Sequence, residues 1–259
     1  MKKGFAVKGV IALMVFFAGC VPETLYMTTP EDTNTIWYSG REFQTKTVDS
    51  ITVSVAYESE IGGNWTFYMV VGNSGDKPVL IAPEQFYCNG VKILQLGGWS
   101  AAEGRYVSYT RRDTAKIFAY DPESVLRGIN GQVEQATATY ATSAGINAAT
   151  ALLQLIGGVA TIGQNKTPEQ RKAEAQQNRQ LQSSEAQNQT DYDSQIQNLS
   201  NQKDYWENAT LRKTTLFPNN AIAGKVIFPL DTSMTTFTLV FPVDTTSIEF
   251  GFKQSPVGK

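Results

Sequence analysis

The chain offers few side chains for catalytic or covalent chemistry. Cys20 and Cys88 are the only thiols among 259 residues, and histidine is absent. The missing histidine removes the usual general base of Ser-His-Asp and Cys-His hydrolases and the commonest ligand of zinc and haem sites. The sequence therefore predicts no metal site and no cofactor.

Carboxylates are the remaining candidates for acid–base catalysis. A glycosidase needs two of them across a cleft, but the spacing along this chain selects no pair, and single acids at turns are usually solvated. We therefore expect no catalytic residue and no enzymatic activity. The carboxylates considered are Glu58, Glu60, Glu84, Glu103, Asp231 and Asp244.

Cys20 follows a short apolar segment at the N-terminus. Three lysines among the first eight residues precede an uncharged run over residues 9–18. A basic start, about ten apolar residues and small residues at the end are typical of a secretory signal peptide. The run is shorter than the roughly 20 apolar residues that cross a bilayer. We interpret residues 1–19 as a signal peptide.

Phe17, Ala18, Gly19 and Cys20 resemble the lipobox of bacterial lipoproteins, in which a hydrophobic and two small residues precede an invariant cysteine. Phe17 stands where that family usually has an aliphatic residue. The resemblance implies recognition of residues 17–19 by a signal peptidase, cleavage after Gly19, and a diacylglyceryl thioether on Cys20 with further acylation, for instance by palmitate. Val21 replaces the aspartate that retains many lipoproteins in the inner membrane, which implies an outer-membrane protein facing the periplasm or the cell surface.

Lipidation of Cys20 leaves Cys88 as a lone thiol. Two interpretations remain open, a buried inert cysteine and a reactive or intermolecular thiol, and the neighbouring aromatic residues favour the first. The chain without residues 1–19 has a net charge of −5, since three of the 22 basic residues are removed and 24 acidic ones stay. Such a balance gives no electrostatic route to nucleic acid.

Alternating apolar and polar residues predict β-strands on both sides of a different central segment. Neither flanking region is large enough to bury its own faces, so we expect residues 46–120 and 213–259 to form two halves of one sandwich. Residues 20–45 are polar and lack a sustained period, which predicts a lipidated tether. Asn89-Gly90 predicts a hairpin turn, and Gly97-Gly98 predicts the end of this strand set.

Two stretches, YMVVGNSGDKPVLIAP (68–83) and LFPNNAIAGKVIFPL (216–230), resemble the immunoglobulin-like sandwich of many bacterial lipoproteins. The resemblance implies an antiparallel sandwich that serves as a binding or structural module. Asn219 and Asn220 stand where that pattern commonly has glycine. Because asparagine tolerates the left-handed conformation, we expect the turn to be kept.

Residues 121–212 have a helical pattern. Asp121 and Pro122 predict a helix start, and Thr167 with Gln170 predicts a capping box at a second start. The fold expected is therefore α+β, an antiparallel immunoglobulin-like β-sandwich interrupted by a long helical hairpin. The apolar stripe comprises Ile129, Val133, Ala136, Tyr140, Ala144, Ala148, Ala151 and Leu155 on the first helix, and Leu181, Tyr192, Ile196, Leu199 and Trp206 on the second.

Three roles of this hairpin stay open at the level of sequence. Residues 135–165 are uncharged and rich in small residues, which would suit insertion into a membrane or packing of the two helices on each other. A coiled-coil-like surface could also bind an envelope protein or a second copy. We expect a non-catalytic, lipid-anchored module with the hairpin as contact surface. The alternative is a binder of a small molecule or glycan on the sandwich loops, where Trp65, Trp99 and Tyr106 would stack unless they are core residues.

Overall fold

The computed structural model describes residues 26–160, 167–243 and 246–256. The chain is a mixed α+β protein of mostly antiparallel sheets, with two long helices between the eighth and ninth strands. The strands are β1 (Tyr26–Pro30), β2 (Thr35–Tyr38), β3 (Arg41–Val48), β4 (Ile51–Ile61), β5 (Asn64–Asn73), β6 (Val79–Ile81), β7 (Tyr87–Ser100), β8 (Arg105–Phe118), β9 (Thr214–Leu216), β10 (Asn220–Pro229), β11 (Met234–Val243) and β12 (Thr246–Pro256).

Two five-stranded sheets make the body of the protein. Sheet 1 has the order β1-β12-β11-β7-β8, and sheet 2 has the order β10-β5-β4-β3-β2. A small pair, β6 with β9, lies beside them. We call the two large sheets, which share one core, the sandwich. This arrangement agrees with the expected sandwich and its helical insertion.

Aromatic side chains fill the space between the sheets. Trp65 on β5 stacks on Phe237 of β11 at 4.5 Å between ring centroids, and Phe67 packs edge-on against Phe252 of β12 at 5.1 Å. All four side chains are buried. They belong to both chain segments that flank the helices, so the core forms only when the two segments meet. Alternation explains the pattern, because every second residue of a strand points to the same face.

Residues 26–45 differ from the expected tether. β1 pairs antiparallel with β12, from Tyr26 with Pro256 to Pro30 with Phe252, and β3 pairs with β4. Phe43 of β3 is buried. The prediction of a tether reaching residue 45 is therefore corrected. Short strands at a sheet edge need few apolar residues of their own, since the partner strand supplies their hydrogen bonds.

The predicted turn at Asn89-Gly90 is also wrong, because both residues lie inside the continuous strand β7. Gly90 has a packing role instead. A Cβ atom on Gly90 would lie 2.2 Å from Met234 Sδ, so the glycine makes room for the buried methionine. β7 likewise continues through Gly97 and Gly98 rather than ending there.

The turn before β10 agrees with the sequence analysis. Asn219 adopts a left-handed backbone with φ 62°, and its N–H donates to the carbonyl oxygen of Asn73 at 2.7 Å. The buried Asn73 amide donates to the carbonyl oxygens of Lys77 at 2.7 Å and Leu216 at 3.0 Å. The Asn73 side chain thus links the turn after β5 to β9, two segments that the helices separate in the sequence.

Both helices begin at the residues predicted for them. α1 is Pro122–Ala160 and α2 is Pro168–Asn208. Asp121 accepts hydrogen bonds from the Glu123 N–H at 3.1 Å and the Ser124 hydroxyl at 2.6 Å, and these bonds, chiefly the Ser124 one, lower its pKa. Thr167 and Gln170 form the reciprocal capping box. The helix ends are therefore determined locally, by residues a few positions apart.

Candidate interaction surfaces

The residues assigned to processing and lipidation lie outside the part of the chain that the structure describes. These are the recognition residues Phe17, Ala18 and Gly19 and the attachment residue Cys20. Their roles remain predictions. The first described residue, Tyr26, begins β1 only six positions after Cys20.

Cys88 is fully buried in the core of the sandwich. Burial raises the pKa of its thiol to about 12. Because the thiolate is the nucleophilic form, such a thiol is unreactive at neutral pH. The interpretation of Cys88 as a buried, inert residue is confirmed.

The candidate carboxylates that the structure describes are mostly held in ion pairs. Glu84 lies 2.6 Å from Lys213 Nζ, and Asp231 lies 2.5 Å from Lys92 Nζ. Within residues 26–160, 167–243 and 246–256 no cluster of three metal-ligating side chains occurs. Asp244 lies outside these ranges.

Glu58 is held between two cations on the outer face of sheet 2. Its carboxylate lies 2.6 Å from Arg41 Nη2 and 3.3 Å from Lys225 Nζ. Partial burial by itself raises the Glu58 pKa, but the interactions with both cations outweigh it, and the pKa is held below its usual value. Lys225 also lies over the ring of Tyr205, at 5.4 Å from its centroid, so this cluster connects sheet 2 to the end of α2.

The three aromatic residues considered for ligand stacking have different environments. Trp65 is a core residue, buried against Phe237. Trp99 and Tyr106, by contrast, have 70% and 68% of their surface exposed. They lie opposite each other on β7 and β8, so they form one exposed aromatic pair. Of the three, only Trp65 is a core residue.

The aromatic pair lies near the end of a two-stranded ribbon. β7 pairs with β11 only as far as Lys92, whereas it pairs with β8 up to Ser100 and Arg105. We call residues 93–112 the ribbon. Eight residues of β7 beyond Lys92 correspond to about 25 Å. The ribbon thus projects from the sandwich as a hairpin without a third strand.

A glycine holds one ring of the pair in place. A Cβ atom on Gly97 would lie 2.5 Å from Tyr106 Oη and Cε1, so the ring of Tyr106 crosses the backbone at Gly97. Trp99, Tyr106 and Ile93 face the same side of the ribbon, because residues paired across strands and residues two apart share a face. The opposite face of the ribbon carries Tyr109, which is 58% exposed and pairs with Leu96.

Charge on the ribbon is opposite to that of the whole chain. The ribbon has three arginines, Arg105, Arg111 and Arg112, against one acid, Glu103, whereas the chain has a formal charge of −2. Arg105 pairs with Glu103 at 2.7 Å beside the turn, and Arg111 lies 3.3 Å from Asp113, just outside the ribbon. The excess of arginine thus lies at the base of the ribbon, whereas the aromatic pair lies near its tip.

The helical hairpin is attached to the sandwich at its base. Arg212, after α2, makes a two-pronged ion pair with Glu123 of α1, at 2.8 and 2.7 Å. Tyr120 packs edge-on against Trp206 at 6.2 Å between ring centroids. Leu126 and Leu199 are buried. These contacts hold the two arms together at the base. The N–H groups of Tyr120 and Leu211 donate to the carbonyl oxygens of Ile227 and Lys225 on β10, at 2.9 and 2.8 Å, which attaches the base to sheet 2.

Away from this base the described side chains of the hairpin are mostly exposed. Tyr140 of α1 stacks on Tyr192 of α2 at 4.5 Å between ring centroids, and the Tyr140 hydroxyl donates to Gln189 Oε1. Ala144, which the apolar stripe assigns to the same face, is exposed. Ala148, Ala151 and Leu155 belong to the part whose side chains are not described. The predicted stripe is thus buried at the base and only partly covered beyond it.

The seam between the helices is open. A cleft of about 360 Å³ lies beside the stacked tyrosines, and a second of about 340 Å³ includes Ala144. The first is lined by Gln132, Gln135, Ala136, Thr139, Tyr140, Ser143, Asn188, Asp191, Tyr192 and Gln195. Its polar groups are mainly amides and hydroxyls, which suits hydrogen bonding to another polar surface.

Side chains within α2 also hydrogen-bond to each other. Gln187 donates to Asp191 at 2.7 Å and Gln189 to Asp193 at 2.8 Å, both at the i,i+4 spacing. Such pairs contribute about 0.2–0.5 kcal/mol each. These local bonds add to the packing of α2 on α1, where Tyr192 stacks on Tyr140.

Neither described helix is long and apolar enough to cross a membrane. Comparisons with models of protein families, with curated proteins and with solved structures find no match. The surfaces must therefore be interpreted from their own chemistry.

The sequence did not predict that β7 continues to Ser100 and forms a ribbon with β8. Gly97-Gly98 is typical of a strand end, and that signal concealed the continuation of β7. The alternation of Val91, Ile93 and, past the glycines, Trp99 is the pattern that would have revealed it.

Proposed function

We propose that this protein is a lipid-anchored, non-catalytic component of a bacterial outer membrane, and that its helical hairpin is the surface that binds another envelope protein or a second copy. The anchor in this proposal is a lipid on Cys20, as the lipobox resemblance implies. Several acyl chains on one residue make a durable membrane anchor.

The observation that carries the proposed contact is the exposure of a hairpin with arms of 39 and 41 residues. At 1.5 Å per residue each arm is about 60 Å long. Only the base packs against the sandwich, where Leu126, Ile129 and Leu199 are buried. A hairpin of this length adds little to the core, so we infer that its use lies in reaching a partner.

The chemistry of the seam supports a polar partner surface, since amides and hydroxyls line both clefts together with one acid each, Asp191 and Glu185. α1 has no charged residue after Glu134, and its stacked Tyr140 lies between two open clefts. Amide and hydroxyl groups hydrogen-bond across helices without ion pairing. A second copy of the hairpin presents the same groups and is the simplest partner of this kind.

We further propose that the sandwich is immunoglobulin-like. The support is the antiparallel pairing of the two stretches that resemble this fold: β5 pairs with β10, and β6 pairs with β9. In this proposal the sandwich is the structural body that holds the hairpin.

The anchor is tested by metabolic labelling with radioactive palmitate. We expect label on the wild-type chain and none on Cys20→Ala. Cys88→Ala is the matched control and should keep the label, since the Cys88 thiol is buried. Equal labelling of Cys20→Ala and wild type would contradict the anchor.

The contact surface is tested by photo-crosslinking in living cells. Photoreactive residues at the exposed positions Ala141 on α1 and Gln182 on α2 should capture a partner or a second copy, identified by mass spectrometry. The exposed Thr47 on β3 is the control position and should capture none. Capture at Thr47 equal to that on the hairpin, or no capture on the hairpin, would refute this role.

A further inference from the structure

We propose that the tip of the ribbon rests in the lipid headgroup region of the membrane that holds Cys20. Trp99 and Tyr106 would lie among the headgroups, and Arg105 would face the phosphates. This inference rests on the proposed lipid anchor.

Strand register places the ribbon and the chain entry at the same end of sheet 1. Val91, Thr236 and Lys253 form one row across β7, β11 and β12. β12 continues three residues past this row, to Pro256, and the ribbon of β7 leaves the sheet in the same direction.

Tyr26 lies at this same end, because it pairs with Pro256. It is therefore three residues beyond the row of Val91, level with Leu94. Ser100, at the tip, is six residues beyond Leu94. At about 3.4 Å per residue, the tip extends about 20 Å past the point where the chain enters the fold.

Chain length puts the membrane within reach of the tip. Cys20 precedes Tyr26 by six residues, and six residues span at most about 20 Å when fully extended. A lipid on Cys20 therefore holds the bilayer surface no farther from Tyr26 than the ribbon itself extends. The ribbon and Tyr26 lie at the same end of sheet 1, and the ribbon extends about as far as six residues can span.

The residues at the tip suit a bilayer interface. Tryptophan and tyrosine concentrate where headgroups meet hydrocarbon, because one end of each ring system is apolar and the other is polar. Trp99 and Tyr106 are exposed as a pair, and Arg105 lies in the next row. Arg105 is the cation at the tip, whereas Arg111 and Arg112 lie at the base of the ribbon, opposite Leu94 and Ile93.

Sheet 2 has exposed aromatic residues of its own at the β2–β3 turn. Trp37 and Tyr38 of β2 are 69% and 71% exposed, and Arg41 follows them at the start of β3. The turn from β2 to β3 ends at Arg41, which contacts Glu58 of β4. Glu58 lies three residues before the end of β4 at Ile61. Trp37 is therefore set back from the chain-entry end and serves as an internal comparison.

The test uses the full-length acylated protein in vesicles of phosphatidylethanolamine and phosphatidylglycerol. An environment-sensitive dye is attached to the thiol of Ala102→Cys, in the turn between β7 and β8. Native Cys88 stays unlabelled because it is buried. The matched control is Thr47→Cys, which is equally exposed and lies near the far end of β3.

We expect the dye at position 102 to shift its emission to the blue and to be protected from an aqueous quencher when the protein is on vesicles. The dye at position 47 should do neither. Adding Trp99→Ser and Tyr106→Ser to the Ala102→Cys variant should abolish the shift while the acyl anchor keeps the protein on the vesicles. That result separates contact by the tip from mere proximity to the membrane.

Several outcomes would overturn the inference, and they can be told apart. A vesicle-bound protein whose dye at position 102 is as accessible as that at position 47 refutes the membrane contact and leaves the anchor standing. A chain without lipid on Cys20, shown by mass spectrometry, refutes the anchor and this inference together. A blue shift that needs a soluble glycan or an envelope protein instead of vesicles assigns the tip to that ligand and also overturns it.

Discussion

The sandwich and the helical hairpin are stabilised in opposite ways. In the sandwich, aromatic rings from distant strands pack into one core, as Phe67 does with Phe228, Phe237 and Phe252. In the hairpin, caps and i,i+4 hydrogen bonds act within a few residues, and little apolar surface is buried beyond the base. The sandwich should therefore unfold cooperatively, whereas the hairpin should tolerate change and remain available for contact.

The strongest test of this contrast removes a central ring. Phe67→Ala should lower the free energy of unfolding by about 3–5 kcal/mol, because it removes a buried side chain and leaves a cavity. Chemical denaturation followed by circular dichroism measures this loss. The control Phe217→Ala, at a 59% exposed residue, should cost less than about 1 kcal/mol. Equal losses in the two variants would show that burial does not set the stability of the sandwich.

A smaller loss is expected where one polar side chain joins the two chain segments. Asn73→Ala removes the donors to Lys77 and Leu216 and leaves buried carbonyl oxygens unpaired. We expect a loss of about 2 kcal/mol, measured by thermal unfolding. Asn64→Ala is the matched control, since its amide donates to carbonyl oxygens in an exposed turn. A loss no larger than that of the control would mean that water replaces the Asn73 bonds.

The close contact between Gly90 and Met234 gives a third test of packing in the sandwich. Gly90→Ala should destabilise the protein by about 1–2 kcal/mol, because the new methyl group meets Met234. Combining it with Met234→Ala should recover part of the loss. Gly98→Ala, on the same strand with open space around it, should be nearly neutral. An additive double variant would contradict the proposed contact.

The smallest global effect is expected in the hairpin. Tyr192→Ala removes the stack on Tyr140, and we expect faster amide exchange around both residues with no change in the melting temperature of the sandwich. Hydrogen exchange read by mass spectrometry measures the two regions separately. A fall in sandwich stability comparable to that of Asn73→Ala would show that the two regions unfold as one unit.

Local signals in the sequence were reliable guides to the fold. Asp121 and Thr167 cap their helices as predicted, and Asn219 adopts the left-handed conformation expected for it. The stripe of Phe237, Leu239 and Phe241 is buried as its alternation indicates. Each of these features depends on residues a few positions apart, so the chain itself contains the needed information.

Features that depend on distant partners were not predictable in this way. Gly90 looked like a turn residue until Met234, more than 140 positions later, was found beside it. Residues 26–30 looked like a tether because their strand partner is the C-terminal strand β12. No local pattern encodes which strand lies next to which, since pairing is decided by the packing of the whole sheet.

The features of the candidate surfaces also divide into those that the sequence determines and those that depend on the fold. The sequence by itself determined the lipobox-like motif at Cys20, the missing histidine and the existence of two long helices, because these are properties of residue types and short spacings. Only the tertiary structure decided that Cys88 and Trp65 are buried, that Trp99 and Tyr106 are exposed together, and that their ribbon projects from the end where Tyr26 enters the fold. Exposure and direction follow from which strands pair, and that pairing exists only in the folded chain.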